Sequence, residues 1–169
     1  MLLRSEETTM LIIDFQPHYM RQRKLAPYFN TQSFVRDVLP AAVTQIWVAH
    51  DVKNRGRDKT GIIPFRDQQN DIFGKTVPTP DTLTMVKPSY SAFFGTPLLD
   101  WLDAHEMRNV LVAGLYGEAC VGLTAHDAAD YEFNTILLSD MIQMHDPVSV
   151  ETLSSHKTPL MHSKDLRFF

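Results

Sequence analysis

The sequence predicts an α/β fold, three-layer α-β-α, around a mostly parallel central sheet of about six strands. Three observations predict it. Short apolar runs bounded by polar residues recur along the chain, the form taken by strands buried on both faces. Segments with helical spacing of apolar residues lie between them, and strict alternation calls for parallel strands joined by right-handed crossovers. Several runs also end at an ionisable group or a turn, and ligands bind such sheets beyond the carboxyl ends of their strands.

The elements follow in order. TMLIIDF (9–15) reads as the first strand, buried and closed by an acid. Residues 31–43 carry a helical pattern that Pro40 interrupts. TQIWVAHD (44–51) repeats the form of the first strand, again ending in an acid. Residues 52–82, rich in Asp, Asn, Gly, Pro and Lys, show little periodicity and read as a long excursion, either a lid or an interface loop. Ile62, Ile63, Phe65, Ile72 and Phe73 are its apolar residues. LTMVKPSY (83–90) is a third strand with Lys87 at its end. TPLLDWLDAHEM (96–107) reads as a helix, with Thr96 as N-cap and Pro97 at the first helical position. NVLVAGLY (109–116) is a fourth strand. ACVGLTAHDAADYE (119–132) is a helix with Val121, Ala125, Ala128 and Ala129 at helical spacing. NTILLSD (134–140) and TPLMHS (158–163) complete the strands, with a short helix over 148–156 between them.

A chain of 169 residues suits one domain, 1–169, and 44% hydrophobic content supplies its core. A net charge of −4 with 21% charged residues speaks against a disordered chain and against a nucleic-acid partner. The single cysteine excludes an internal disulfide. Glu6 and Glu7 fall where a signal peptide would be apolar, and no run approaches the ~18 residues of a membrane helix. A cytoplasmic protein with no membrane partner is expected.

Asp14, Asp51, Lys87 and the turn before Cys120 all fall at strand carboxyl ends, on one predicted rim. Two readings fit Cys120. As a lone cysteine it is a small buried hydrophobe. In the first turn of a helix near a lysine it is a stabilised thiolate, which alkylates well below pH 8. Asp14 either caps the following segment or accepts a proton. Lys87 is either a solvated strand end or a cation in the site. Together the three supply a nucleophile, a base and a cation, the parts that covalent attack on an acyl group requires.

The segments around these residues resemble the isochorismatase-like superfamily of cysteine hydrolases, which includes nicotinamidases, carbamoyl-amide hydrolases and isochorismatase. LIIDFQ resembles its first strand, KPSYSAFFGTPLLDWL its lysine motif, NVLVAGLYGEACVGLTAHDAADYEF its nucleophile motif, and NTILLSDMIQMHDP the strand that follows. The resemblance implies a Rossmann-type topology and a catalytic triad of Asp14, Lys87 and Cys120. It further implies a cis peptide between Leu115 and Tyr116, with the Tyr116 and Cys120 N–H groups as oxyanion hole. It implies a homo-oligomer, dimer or tetramer, acting on a small-molecule substrate.

Phe15, Tyr90, Phe93, Phe94 and Tyr116 are candidate pocket aromatics, with core packing the competing reading for Phe15 and Phe93. Gln16 either donates to substrate or faces the surface. Nicotinamidases of this superfamily bind a metal through an Asp and histidines after the second strand. In HDVKNRGRD, Asp51 is present but Lys53 stands where a His would be expected, and no histidines show zinc-ligand spacing. No metal and no other cofactor are therefore expected, and the histidines read as surface or core residues. Isochorismatases proper lack the cysteine and hydrolyse a vinyl ether. The leading expectation is thus a cysteine amidohydrolase of a small amide or carbamoyl compound. The alternatives are an isochorismatase-type ether or ester hydrolase, and a degenerate binding module. The region between Met20 and Ile46 is short, so part of the first helix is expected to be lost.

Overall fold

The structure is a computed structural model that describes residues 1–20, 25–51, 61–64 and 82–169. Strands β2 (Thr8–Ile13), β3 (Thr44–His50), β5 (Leu83–Lys87), β6 (Asn109–Leu115), β7 (Asn134–Gln143) and β8 (Leu160–Met161) are the six expected ones, all parallel. A short strand β4 (Ile63–Pro64) adds antiparallel to β5, making a seven-stranded sheet ordered β4-β5-β3-β2-β6-β7-β8. Outside it, β1 (Leu2–Leu3) pairs with β9 (Arg167–Phe168).

Each central strand is buried on both faces, and its side chains alternate between two cores. Leu11 and Ile13 of β2 enter one core with Val48, Val112 and Leu137, while Met10 and Ile12 enter the other with Trp47, Leu111 and Ile136. This is the period of two that pleating imposes. Helix α2 (Ala26–Asp37), which follows a single turn α1 (Pro17–Met20), covers the second core with Tyr28 and Phe34. Helices α3 (Leu98–Ala104) and α4 (Gly122–Asp130) cover the first with Leu98, Leu102, Ala125 and Ala128. Helix, sheet and helix form the three expected layers.

Several expectations shift. The helix placed over 31–43 starts five residues earlier and ends before Pro40, so the shortened region still keeps a first helix. Thr96 lies just outside α3, although its hydroxyl accepts from the Leu98 N–H at 3.3 Å. The pattern at 148–156 forms only a 3-10 turn, Val150–Leu153. Of the excursion over 52–82, residues 61–64 and 82 are described; the lid or interface assignment, with Phe65, Ile72 and Phe73, lies outside the described residues. No helix among the described residues is long and apolar enough to cross a membrane.

Strand order decides where a site forms. From β2 the chain winds outward to β3 and β5 on one side; from its neighbour β6 it winds to β7 and β8 on the other. The winding reverses between β2 and β6, and crossovers there leave a crevice at the strand carboxyl ends.

Candidate active site

Four strand ends meet at that crevice. Ile13 of β2 pairs with Gly114 of β6, and His50 of β3 pairs with Lys87 of β5. The β2–β6 approach is so close that a Cβ on Gly114 would collide with the Ile13 carbonyl, and Gly114 holds φ 125°. Asp14 follows β2 with φ 55°, and its carbonyl accepts from the Gln16 N–H at 2.6 Å. A left-handed residue at this point turns the chain sharply off the strand, and aspartate tolerates that conformation better than most residues.

The side chains converge as the sequence predicts. Lys87 Nζ lies 2.9 Å from Asp14 Oδ2 and donates to Cys120 Sγ at 3.2 Å. A third donation, to the Ser89 carbonyl at 2.9 Å, completes the ammonium's three bonds. Lys87 is wholly buried and Asp14 nearly so. Such a cation is tolerated only when fully paired.

Burial is the largest influence on Asp14 and pushes its carboxyl pKa up; Lys87 and then the Cys120 thiol oppose it. Asp14 Oδ1 has no partner at hydrogen-bond distance among the described residues. The Cys120 thiol is pushed up to about 12, first by burial and then by the Asp14 charge, against the pull of Lys87. This corrects the expectation of a stabilised thiolate. Cys120 is 6% exposed and packs in the first core, and desolvation there outweighs one lysine that is already shared with a carboxylate. Burial and the neighbouring carboxylate thus favour the thiol over the thiolate.

Cys120 also sits ahead of its helix, not in the first turn of it. Gly117–Val121 make one π turn, and α4 follows. The Ala119 and Val121 N–H groups donate to the Tyr116 carbonyl, both at 3.1 Å, and the Leu115–Tyr116 peptide is cis. A Cβ on Gly117 would collide with the Met144 sulfur, so the turn lies flat against the end of β7. The Glu118 carboxylate accepts from the N–H groups of His145 and Asp146 at 2.8 and 2.7 Å, bracing the turn from outside. Glu118, His145 and Asp146 hold donor atoms within 4.8 Å of one another, all exposed.

The lysine loop is tied to the cysteine helix. Ser91 Oγ donates to Asp127 Oδ2 at 2.5 Å, and the Ala92 N–H donates to Thr124 Oγ1 at 3.0 Å. Both acceptors lie on α4, so the segments bearing Lys87 and Cys120 form one hydrogen-bonded unit. Thr124 and Asp127 belong to the Thr-Ala-x-Asp-Ala stretch on which the resemblance to the nucleophile motif rests, and each accepts a bond from the lysine loop.

The candidate pocket aromatics divide. Phe15 packs in the second core against Tyr28, ring centroids 5.4 Å apart, across the sheet from Cys120. Phe93 packs in the first core between Tyr131 and Phe133. Both are core residues because strand and loop geometry turns them inward. Tyr90 and Phe94 are exposed, and Tyr116 is half-buried with its hydroxyl donating to the Tyr19 carbonyl. Gln16 neither reaches outward nor lies on the surface: its amide accepts from the His50 N–H at 2.8 Å and donates to the His50 carbonyl at 3.2 Å.

Two residues at the crevice escape sequence reading. The Tyr19 hydroxyl lies 3.3 Å from His50 Nδ1, and the Tyr90 ring lies 6.3 Å from the His50 ring. Burial, then the Lys87 charge, pushes the His50 pKa down, which favours the neutral imidazole. Tyr19 is pushed up to about 12 by burial and by Asp14 and Cys120, so its hydroxyl keeps its proton. The signal for His50 was its place at the end of β3; Tyr19 carried none. Asp51, one residue on, donates its N–H to the Lys87 carbonyl at 3.1 Å, while Lys53 lies outside the described residues.

The chain is similar to known proteins in sequence and in fold. The isochorismatase domain matches residues 8–157. Over 97 residues, 57% of this chain and 50% of the relative, the sequence is 31% identical to an isochorismatase family protein, YaaI, of Bacillus subtilis. Over 70 residues, 41% of this chain and 30% of the relative, it is 33% identical to the ureidoacrylate amidohydrolase RutB of Cronobacter sakazakii. The aligned stretches thus span half or less of these relatives. The fold is similar to that of N-carbamoylsarcosine amidase from Thermoplasma acidophilum, with a TM-score of 0.73 and 17% identity, covering 94% of this chain and 98% of that one. A domain match over most of the length, on a fold whose strand ends gather Asp14, Lys87 and Cys120, shows that this chain belongs to the isochorismatase family, within the isochorismatase-like hydrolase superfamily.

Proposed function

We propose that this chain is a cysteine-dependent hydrolase of a small amide or carbamoyl C–N bond. One observation carries the reading: a buried ammonium bridges a carboxylate and a thiol at the reversal point of the sheet, 2.9 and 3.2 Å away. Such a cluster serves acyl transfer. Among the relatives, RutB is named an amidohydrolase and the T. acidophilum protein an amidase, which supports a C–N bond as the target.

The roles follow from the electrostatics. The resting thiol of Cys120 needs a base, and Asp14, held up by burial, is primed to accept its proton. Moving that proton turns a carboxylate beside a thiol into a carboxylic acid beside a thiolate. Lys87, touching both, balances either state and moves little. The thiolate attacks the carbonyl carbon, and the electron pair of the C=O moves onto oxygen. Tyr116 and Cys120 N–H groups receive that oxyanion, each contributing about 3 kcal/mol. Asp14 returns its proton to the leaving nitrogen, the C–N bond breaks, and a thioester remains. Water, giving a proton to Asp14, attacks the thioester, and the thiol leaves with that proton.

The test is a panel of small amides, carbamoyl compounds and isochorismate, run on the native protein and on Cys120→Ala, with mass spectrometry of the cysteine peptide. Turnover of an amide, an acyl mass on Cys120 and loss of both in the variant are expected. Near-normal turnover by Cys120→Ala would remove the mechanism.

A further inference from the structure

We propose that His50 is a specificity-determining residue, whose Nε2–H binds a second acceptor oxygen of the substrate, beyond the bond that is cut. The proposal rests on the amide-hydrolase reading above and adds the substrate class to it: small amides bearing a carbonyl or carboxylate oxygen a short distance from the scissile C–N bond.

His50 closes β3 directly beside Lys87 of β5, so its imidazole rises from the same edge as the triad. It is held from two sides. Gln16 spends both ends of its amide on the His50 backbone, and the Tyr19 hydroxyl meets Nδ1 at 3.3 Å. Tyr19 is itself fixed, its carbonyl accepting from the Tyr116 hydroxyl and its N–H donating to the Gln16 carbonyl at 3.0 Å. Gln16 and Tyr19 follow Asp14 within a single short segment, so the imidazole is registered to the base. This is far more bracing than a surface histidine receives.

The Tyr19–Nδ1 contact fits either ring tautomer; the proposal takes the one in which the tyrosine hydroxyl donates to Nδ1 and the ring proton lies on Nε2. Nε2 has no hydrogen-bond partner among the described residues. The ring is half-buried, with the exposed Tyr90 ring 6.3 Å away. An oriented donor between two tyrosines, next to the triad, fits an acceptor oxygen of a small molecule. It fits a cation poorly, since Nδ1 is occupied and Lys87 lies alongside.

The experiment uses a matched pair, N-carbamoylglycine and N-ethylurea, which share the carbamoyl group and differ in the acceptor. Binding to the full chain carrying Cys120→Ser, which forms no amide-derived thioester, is measured by calorimetry. The expected result is a preference of about tenfold or more for N-carbamoylglycine. His50→Ala and His50→Phe abolish that preference, Tyr19→Phe reduces it, and His50→Gln, which restores a side-chain donor, recovers part of it. Equal binding of the pair, binding of neither, or a preference that survives His50→Ala overturns the proposal. A parallel arm keeps the two readings apart by following acylation of Cys120 in the native protein. Acylation without a binding preference sustains the hydrolase and removes the role of His50. A preference without acylation sustains the role of His50 as a binding residue and removes the hydrolase.

Discussion

Lys87 Nζ stands 2.9 Å from Asp14 Oδ2, with 0% and 2% of the two side chains exposed. A pair this deep gains little over an apolar pair of the same volume, yet breaking it strands a charge. Lys87→Met is therefore expected to lose roughly 3–5 kcal/mol of unfolding free energy at neutral pH. The double variant Asp14→Asn, Lys87→Met should regain most of that while remaining inactive. Urea unfolding of the three proteins reads the difference. Equal stability of Lys87→Met and the native protein would show that the ion pair carries no such penalty.

Alkylation separates the two influences on the cysteine. The Asp14 charge raises the Cys120 pKa and the Lys87 charge lowers it. Asp14→Asn leaves the lysine unopposed, so the thiol should react with iodoacetamide at lower pH than in the native protein while turnover is lost. Rates followed from about pH 6 to about pH 10, a range that brackets the ordinary thiol value, check the direction. A shift to higher pH would contradict it.

Stability at alkaline pH carries the same signature. The Cys120 pKa rises from an ordinary 9.0 to about 12 on folding. The folded chain then holds a proton that the unfolded chain has released, so the contribution of this group is intact below 9.0 and is lost as pH climbs toward 12. Tyr19, raised from 10.0 to about 12, acts in the same sense. Native unfolding free energy should fall over this window, and Cys120→Ala should fall less steeply. Parallel curves would remove the buried-thiol account.

Ser91→Ala tests whether the lysine loop is positioned by α4. It removes the 2.5 Å bond to Asp127 and one acceptor for the Phe93 N–H. A loss of about 1–2 kcal/mol in stability is expected. A fall in kcat larger than the change in KM is also expected, because the loop sets Lys87 and not the pocket wall. Ser91→Thr, which keeps the hydroxyl, should restore kcat. A change confined to KM would place Ser91 at the substrate instead.

Much of the fold was legible in the chain. Runs such as TMLIIDF and NVLVAGL are continuous apolar stretches because a parallel strand is covered on both faces, and that pattern needs no partner to be recognised. The amphipathic spacing of Leu98, Leu102, Ala125 and Ala128 marked the helices for the same reason. The start of α2 was not legible, because Ala26 and Pro27 precede any apolar repeat. Whether Phe15 and Phe93 face a pocket or a core was left open, since the answer depends on which layer lies above each.

The order of residues along the chain was enough to place Asp14, Lys87 and Cys120 on a common rim, because parallel strands send all their carboxyl ends to one edge. What folding in three dimensions alone decided was the state of those groups and the company they keep. Desolvation depends on everything packed around a side chain, so only the packing chose between the two readings of Cys120, and it favours the protonated thiol. The pairing of Tyr19 with His50 joins a short turn to the end of a different strand, and no spacing within either segment records their approach.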